Sequence, residues 1–139
     1  MVTKLMERET RMVAALGVEA NGTTAVNAIA IPANYEVEKV WVRSAKAGTG
    51  AANLTVGDED DADGYILAAD HTAAVGTIYG DAIAEVGAYQ FTIDGTVEVW
   101  NAAKKYTAAK NIKIVLSAAG TIQSKWDVYA SMTPFPVSP

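Results

Sequence analysis

The segment TIQSKWDVYASM, residues 121–132, alternates apolar and polar side chains more regularly than any other part of the chain. One set of alternate positions holds Ile122, Trp126, Val128, Ala130 and Met132, and the other holds Gln123, Lys125, Asp127 and Ser131. Successive side chains of a strand point to opposite faces. The segment is therefore predicted to be a long strand with one face in a core that includes Trp126.

Shorter segments of the same character precede it. They are AVNAIAIP (25–32), YEVEKVWVRSA (35–45), ANLTVG (52–57), GYILAAD (64–70), TIYGDA (77–82), YQFTI (89–93), TVEVW (96–100) and NIKIVLS (111–117). The Asp94-Gly95 pair between two of them is a strong hairpin signal. Many short strands separated by turn residues predict an all-β fold, an antiparallel β-sandwich or a jelly roll.

The ends of the chain differ from this pattern. Residues 2–16 fit a broken helical stripe, and they also fit an extended arm that docks on the domain or on a neighbour. The final prolines of TPFPVSP favour an extended tail. We therefore expect an N-terminal arm at 1–20, either a short helix or extended, a β-domain at 21–133 and a Pro-rich tail at 134–139.

Composition excludes several classes of function. The 139-residue chain has a net charge of −5 and a pI of about 4.7, which argues against nucleic-acid and anionic-membrane partners. It contains no cysteine, so thiolate metal sites, disulfides and cysteine nucleophiles are excluded. No apolar run reaches the length of a membrane span, and the N-terminus is too charged for a signal peptide. A soluble protein made in the cytoplasm is predicted.

The acidic stretch GDEDDADGYILAAD, residues 57–70, is the segment that most resembles a ligand site. In the register of a twelve-residue calcium loop, Glu59, Asp61 and Asp63 take positions 1, 3 and 5, and Asp70 takes position 12. Positions 1 and 12 lack their usual Asp and Glu, and strands replace the flanking helices. The alternative is a solvated turn between two strands, with Asp63-Gly64 at the turn. Calcium is the one cofactor that this pattern suggests.

No arrangement of acid, base and nucleophile emerges from the spacing, so the protein is not predicted to be an enzyme. His71 is the single histidine, and no nucleophile-elbow signature accompanies it. It is predicted to be a loop residue. Trp41 and Trp100 fall opposite valines on their strands, so they could be exposed and stack on sugars, whereas Trp126 is expected in the core.

The frame LTVGDEDDADGYI, followed by GAYQF and YTAAKNIKIVLSAAGTIQSKWDVYASMTP, resembles small virion proteins of tailed bacteriophages. These are capsid decoration (cement) proteins and related β-sandwich head proteins. The resemblance covers most of residues 25–133 and is a pattern of strands and turns. It departs at Gln123–Ser124, where a further glycine is expected. It brings no catalytic or binding residues.

This resemblance implies a non-enzymatic structural protein that stabilises a phage head through contacts between subunits. Its partner would be the major capsid protein, and a homo-oligomer, with a trimer favoured, would be expected. The protein would be made in the host cytoplasm and lie on the capsid surface of the virion. The alternative is a carbohydrate- or calcium-binding β-sandwich module.

Overall fold

The computed structural model describes residues 10–94, 97–119 and 122–135. Its strands are β1 (Arg11–Glu19), β2 (Val26–Ile31), β3 (Tyr35–Lys46), β4 (Asn53–Gly57), β5 (Ile66–Asp70), β6 (Ile78–Tyr79), β7 (Phe91–Asp94), β8 (Val97–Trp100), β9 (Lys104–Tyr106), β10 (Lys110–Leu116) and β11 (Lys125–Pro134). A single 3-10 turn, Ile83–Glu85, lies between β6 and β7. The described part of the chain has no helix long and apolar enough to cross a membrane.

The strands form two main antiparallel sheets and one hairpin. The first sheet has the order β1-β11-β3-β6, with β9 also paired to β3, and the second has the order β2-β10-β4-β5. β1 thus pairs with β11, β2 with β10, β3 with β9, and β4 with its neighbour in the chain, β5. This nested pairing of a rolled-up ribbon is the arrangement of a jelly roll. The all-β prediction is confirmed.

One hydrophobic core lies between the sheets. The first sheet contributes the alternate residues Val37, Val40, Val42, Trp126, Val128, Ala130 and Met132, and the second contributes Ile29, Ile31, Leu54, Val56, Ile112, Ile114 and Leu116. Trp126 is fully buried. The period-two pattern therefore identifies the core face of β11 from Trp126 onward. The strand begins at Lys125, and Ile122, which was predicted on the same face, lies before it and is 46% exposed.

Of the two predictions for the N-terminal segment, the structure agrees with the extended arm that docks on the domain. Residues 11–19 are not helical but form β1, an edge strand paired along its length with β11. The apolar residues of this segment are spaced as in a helix, but hydrogen bonding to β11 outweighs the weak helix propensity of the segment. The arm expected at 1–20 thus contributes residues 11–19 to the first sheet, while residues 1–9 lie outside the described ranges. Of the expected tail at 134–139, residues 136–139 lie outside them also.

The structure also contains the predicted β7–β8 hairpin and one short strand, β9, that was not predicted. Residues 91–94 pair with 97–100, so the predicted hairpin is confirmed, but Asp94 belongs to β7 and lies opposite Val97 rather than in the turn. Residues 95 and 96 are outside the described part. Three residues, 104–106, form the unforeseen strand β9 beside β3. So short a segment has no periodicity from which it could be predicted.

Candidate functional site

The acidic loop between β4 and β5 is built around Asp58, a residue that sequence reasoning did not single out. Its side chain is completely buried. The amides of Asp60 and Asp61 donate to its Oδ1 at 2.9 and 3.0 Å, respectively, so the loop winds around its own first carboxylate. The Asp58 amide in turn donates to the Asp61 carbonyl at 3.0 Å. These bonds make a closed turn rather than an open ligand cage.

Three side chains from distant segments complete the shell of Asp58. The Tyr89 hydroxyl donates to Oδ1 at 2.9 Å, while the Tyr106 hydroxyl and Lys104 Nζ donate to Oδ2 at 2.7 and 2.9 Å. Lys104 Nζ also lies 3.5 Å from the centre of the Tyr89 ring. The Tyr65 hydroxyl is 2.6 Å from that of Tyr106 and donates to it, since the Tyr106 proton is directed at Asp58.

The electrostatics of this cluster keep Asp58 charged. Burial raises its pKa, but the hydrogen bonds from Tyr106, Lys104 and the two loop amides outweigh burial, and the pKa falls from 3.8 to about 2. Burial and the neighbouring Tyr65 raise the pKa of Tyr106 far above its ordinary value, so this hydroxyl stays a donor. With five donors already directed at it, the carboxylate has little capacity left to bind a metal or move a proton. It holds the loop, β9 and the segment before β7 together.

Two glycines, Gly57 and Gly87, allow other backbone segments to pack closely against the acidic loop. A Cβ on Gly57 would lie 1.9 Å from the Asp61 carbonyl oxygen, and one on Gly87 would lie 2.0 Å from the Asp63 carbonyl oxygen. The obstacle in both cases is backbone, which cannot rotate away as a side chain can. The frame LTVGD therefore has a physical basis, since Gly57 lets the loop close on Asp58.

The four residues of the calcium prediction are dispersed. Glu59 accepts hydrogen bonds from the amide and side chain of Asn111 on β10. Asp70, at the far end of β5, accepts from the amide and hydroxyl of Thr72. Across residues 10–94, 97–119 and 122–135, no three acidic or histidine side chains form a group that could hold a metal ion. Calcium binding stays a prediction, without a preformed cluster behind it.

Asp61 and Asp63 are the one pair of predicted ligands that the structure brings together. The Asp61 carboxylate accepts a hydrogen bond from the protonated Asp63 carboxyl and so raises the pKa of Asp63, and burial and repulsion from the Asp61 charge add to this. Burial raises the pKa of Glu59, but its bonds to Asn111 outweigh burial and lower it. The carboxylates of the loop thus differ: Glu59 is bonded to β10, whereas Asp63 is exposed and lies beside the half-buried Asp61.

His71 lies in the turn that follows β5, as predicted for a loop residue, but its side chain is completely buried. Its Nδ1 is 2.7 Å from the Ser124 hydroxyl, which also accepts a 2.9 Å hydrogen bond from Trp126 Nε1. A Cβ on Gly48 would lie 2.2 Å from the imidazole, so the turn at Gly48 covers the ring. Ser124 and His71 form a hydrogen-bonded pair without access to substrate, and Ser124 has a packing role where a glycine was expected.

The three tryptophans divide between core and surface as the alternation suggests. Trp126 is in the core, and Trp100 is 46% exposed on the β7–β8 hairpin. Trp41 lies on the outer face of the first sheet and stacks on Tyr129, with ring centres 5.5 Å apart and planes within 11°. Because these two rings face each other, one face of each is already covered. Carbohydrate binding at Trp41 and Trp100 stays a prediction.

Exposed apolar side chains lie at both edges of the first sheet. Met12 and Leu16 on β1 are 67% and 71% exposed, and Val75 and Ile78 at the β6 edge are 62% and 47% exposed. Contiguous apolar patches on a surface mark contacts with other proteins. The two edges, where these side chains lie in pairs, are therefore the candidate contact surfaces in the described part of the chain.

No family model and no curated protein matches this chain. Two solved structures share its fold. A chain of the cyanophage Pam1 capsid asymmetric unit matches with a TM-score of 0.61 and 15% identity, over 98% of this chain and 91% of that one. A chain of the acid-stable capsid of Helicobacter pylori bacteriophage KHP30 matches with a TM-score of 0.50 and 16% identity, over 93% of this chain and 95% of that one. At such identities, the likeness is one of fold alone.

Proposed function

We propose that this chain is a non-enzymatic virion structural protein, a decoration or cement protein that stabilises a bacteriophage head. The observation that carries the proposal is the fold match to chains of two phage capsid structures. Both matches extend over more than nine tenths of each chain. The likeness thus extends over nearly the whole of the given chain and of each matched chain.

The interior of the protein supports a structural role. Its buried polar groups are used for holding loops: Asp58 closes the β4–β5 loop, and Ser124 joins His71 to Trp126. A buried Gln90 spans the gap between Val40 and Tyr65 with three hydrogen bonds to the backbone. Such networks fix the shape of a surface, which is what a clamp between subunits needs.

The exterior supports contacts with neighbours on two sides. The apolar side chains at the β1 and β6 edges of the first sheet lie on opposite sides of it. A protein that bridges subunits needs two such surfaces. The partner in the proposal is the major capsid protein, on the capsid surface of the virion after synthesis in the host cytoplasm.

The proposal includes self-association, with a trimer favoured. The segments before β1 and after β11 are expected to take part in the contacts between subunits. β1 and β11 are neighbours in the first sheet, and the start of β1 at Arg11 lies opposite Met132, near the end of β11. A trimer would have a mass three times the 14.6 kDa of one chain, which light scattering of the purified protein would detect.

Cementing predicts a specific gain in the stability of the capsid. Shells of the phage's major capsid protein, assembled without this chain, should withstand a temperature several degrees higher once the purified chain is added. The physical reason is that a protein which binds only the assembled state stabilises that state by mass action. Differential scanning calorimetry of the shells would measure the shift.

The control for this experiment is the chain denatured by heat and cooled, or an unrelated β-protein at the same concentration. An unchanged transition temperature despite saturating, folded chain would contradict a cementing role. It would leave open a virion protein that binds without stabilising.

A further inference from the structure

The turn that joins β1 to β2 contains the one Asn-Gly step of the chain, Asn21-Gly22. A 3.0 Å hydrogen bond from the Thr24 amide to the Asn21 carbonyl closes this turn. Gly22 has a φ of +55°, a conformation that glycine adopts readily and residues with a side chain adopt rarely. The geometry of the turn thus requires a glycine directly after Asn21.

Asparagine is a thermolabile residue, and before a glycine it can lose its side-chain amide without an enzyme. The backbone nitrogen of the glycine gives up its proton to hydroxide and bonds to the asparagine Cγ, while the Cγ–Nδ2 bond breaks and ammonia leaves. Water then opens the resulting succinimide ring at one of its two carbonyl carbons. The products are aspartate and isoaspartate, and each carries a negative charge that asparagine lacks.

The structure leaves Asn21 open to this reaction. The residue is exposed, so that water and hydroxide reach it. Gly22 has no side chain to obstruct the approach of the Asn21 Cγ, and no other atom lies within 4 Å of the place where its Cβ would be. The other asparagines all precede a residue with a side chain, and they are Asn27, Asn34, Asn53, Asn101 and Asn111.

One contact of the folded protein opposes the reaction. The Gly22 amide, which supplies the attacking nitrogen, donates a 3.3 Å hydrogen bond to Gln123 Oε1, from the segment before β11. An amide proton that is shared with a carbonyl oxygen is harder to remove. The Ala20 amide also donates to the Ser124 carbonyl at 3.0 Å, so the chain is held to the same segment on both sides of Asn21.

We propose that Asn21 is a site of spontaneous deamidation and that the hydrogen bond from Gly22 to Gln123 limits its rate. The reaction needs only the chain and water. The isoaspartate product adds one carbon to the main chain inside the tight turn, so the hydrogen bonds to residues 123 and 124 would fit less well. Copies that have aged in this way would hold the end of β1 less firmly. The inference goes beyond the proposed virion function and does not depend on it.

Ageing of the purified, folded chain in mildly alkaline buffer, followed by proteolysis and tandem mass spectrometry, tests the proposal. We expect aspartate and isoaspartate to accumulate at position 21 while Asn27 stays unchanged. Asn27 is the internal control, because it is also exposed but precedes an alanine. Equal conversion at Asn27 would overturn the proposal. So would the absence of isoaspartate at position 21 under conditions that convert a peptide of residues 18–25.

A pair of variants tests the part played by Gln123. Gln123→Ala removes the acceptor of the Gly22 hydrogen bond, and we expect conversion about two-fold to ten-fold faster, the factor that corresponds to one ordinary hydrogen bond. Gln123→Glu is the matched control, because its carboxylate still accepts from the Gly22 amide, and its rate should not exceed that of the unchanged chain. Circular dichroism would verify that both variants are folded. An unchanged rate in Gln123→Ala would overturn the assignment of Gln123.

Discussion

An Asp58→Ala variant is expected to lose about 3–5 kcal/mol of unfolding free energy, the cost of removing one partner from a buried charge pair. The substitution would leave Lys104 without its carboxylate and the Tyr89 and Tyr106 hydroxyls without their acceptor. Small domains are stable by about 5–15 kcal/mol, so a large part of the total would be lost. Urea denaturation followed by tryptophan fluorescence would measure it.

Asp60→Ala is the matched control for this prediction. Asp60 lies two positions along the same loop, but its side chain is 62% exposed and its ion pair with Lys110 spans 3.6 Å. We expect a loss below about 1 kcal/mol, as for other exposed ion pairs. Equal losses in the two variants would mean that the loop is stabilised by its overall charge rather than by the Asp58 network.

The pH dependence of the same network has a definite sign. The pKa of Asp58 is about 2 in the folded protein against an ordinary value of 3.8. Its contribution is therefore complete above pH 4 and is lost as the pH falls toward 2, a difference of about 2 kcal/mol. An Asp58→Asn variant cannot titrate at this position. The gap in unfolding free energy between the two proteins should narrow as the pH falls from 5 to 2, and a constant gap would contradict the assignment.

Replacing Trp126 by alanine should cost about 3–5 kcal/mol of unfolding free energy, because a large cavity would open between the sheets. The indole is fully buried, lies 6.1 Å from the Tyr79 ring and donates to Ser124. Its loss would also leave the His71–Ser124 pair with one hydrogen bond fewer. Urea unfolding, followed by circular dichroism, would measure the change without relying on the deleted fluorophore.

Trp100→Ala supplies the comparison for the core substitution. The side-chain change is identical, but Trp100 is 46% exposed on the β7–β8 hairpin. We expect an effect of about 0.5 kcal/mol or less, in the range of surface substitutions. If Trp100→Ala destabilised the protein as much as Trp126→Ala, the hairpin would have to pack more tightly than its exposure indicates.

The sequence allows the fold to be predicted because a strand with one buried face alternates in hydrophobicity. The segments at 35–45, 111–117 and 121–132 show this pattern, and they form β3, β10 and β11. β1 could not be assigned in the same way. Its apolar residues fit two periods, and the pairing with β11 that decides between them involves residues more than a hundred positions away.

The role of the acidic loop could be predicted less well than its position. Five acidic residues occur within residues 58–63, and composition alone does not show that Asp58 is the buried one. Lys104 and Tyr106 donate hydrogen bonds to the buried Asp58 carboxylate, and they lie more than forty positions further along the chain. Likewise, the burial of His71 depends on the distant Gly48 and Ser124. Local pattern identifies strands, whereas these polar contacts follow only from the topology.

Binding of the purified chain to empty shells of the major capsid protein from its own phage tests the central claim most directly. The shells would be mixed with increasing amounts of the folded chain and sedimented, and the pelleted protein would be quantified. The cement proposal predicts that the chain pellets with the shells and saturates at a constant ratio to the capsid subunit, while the chain alone stays in solution. If the folded chain remains in the supernatant at every concentration, the proposal is wrong.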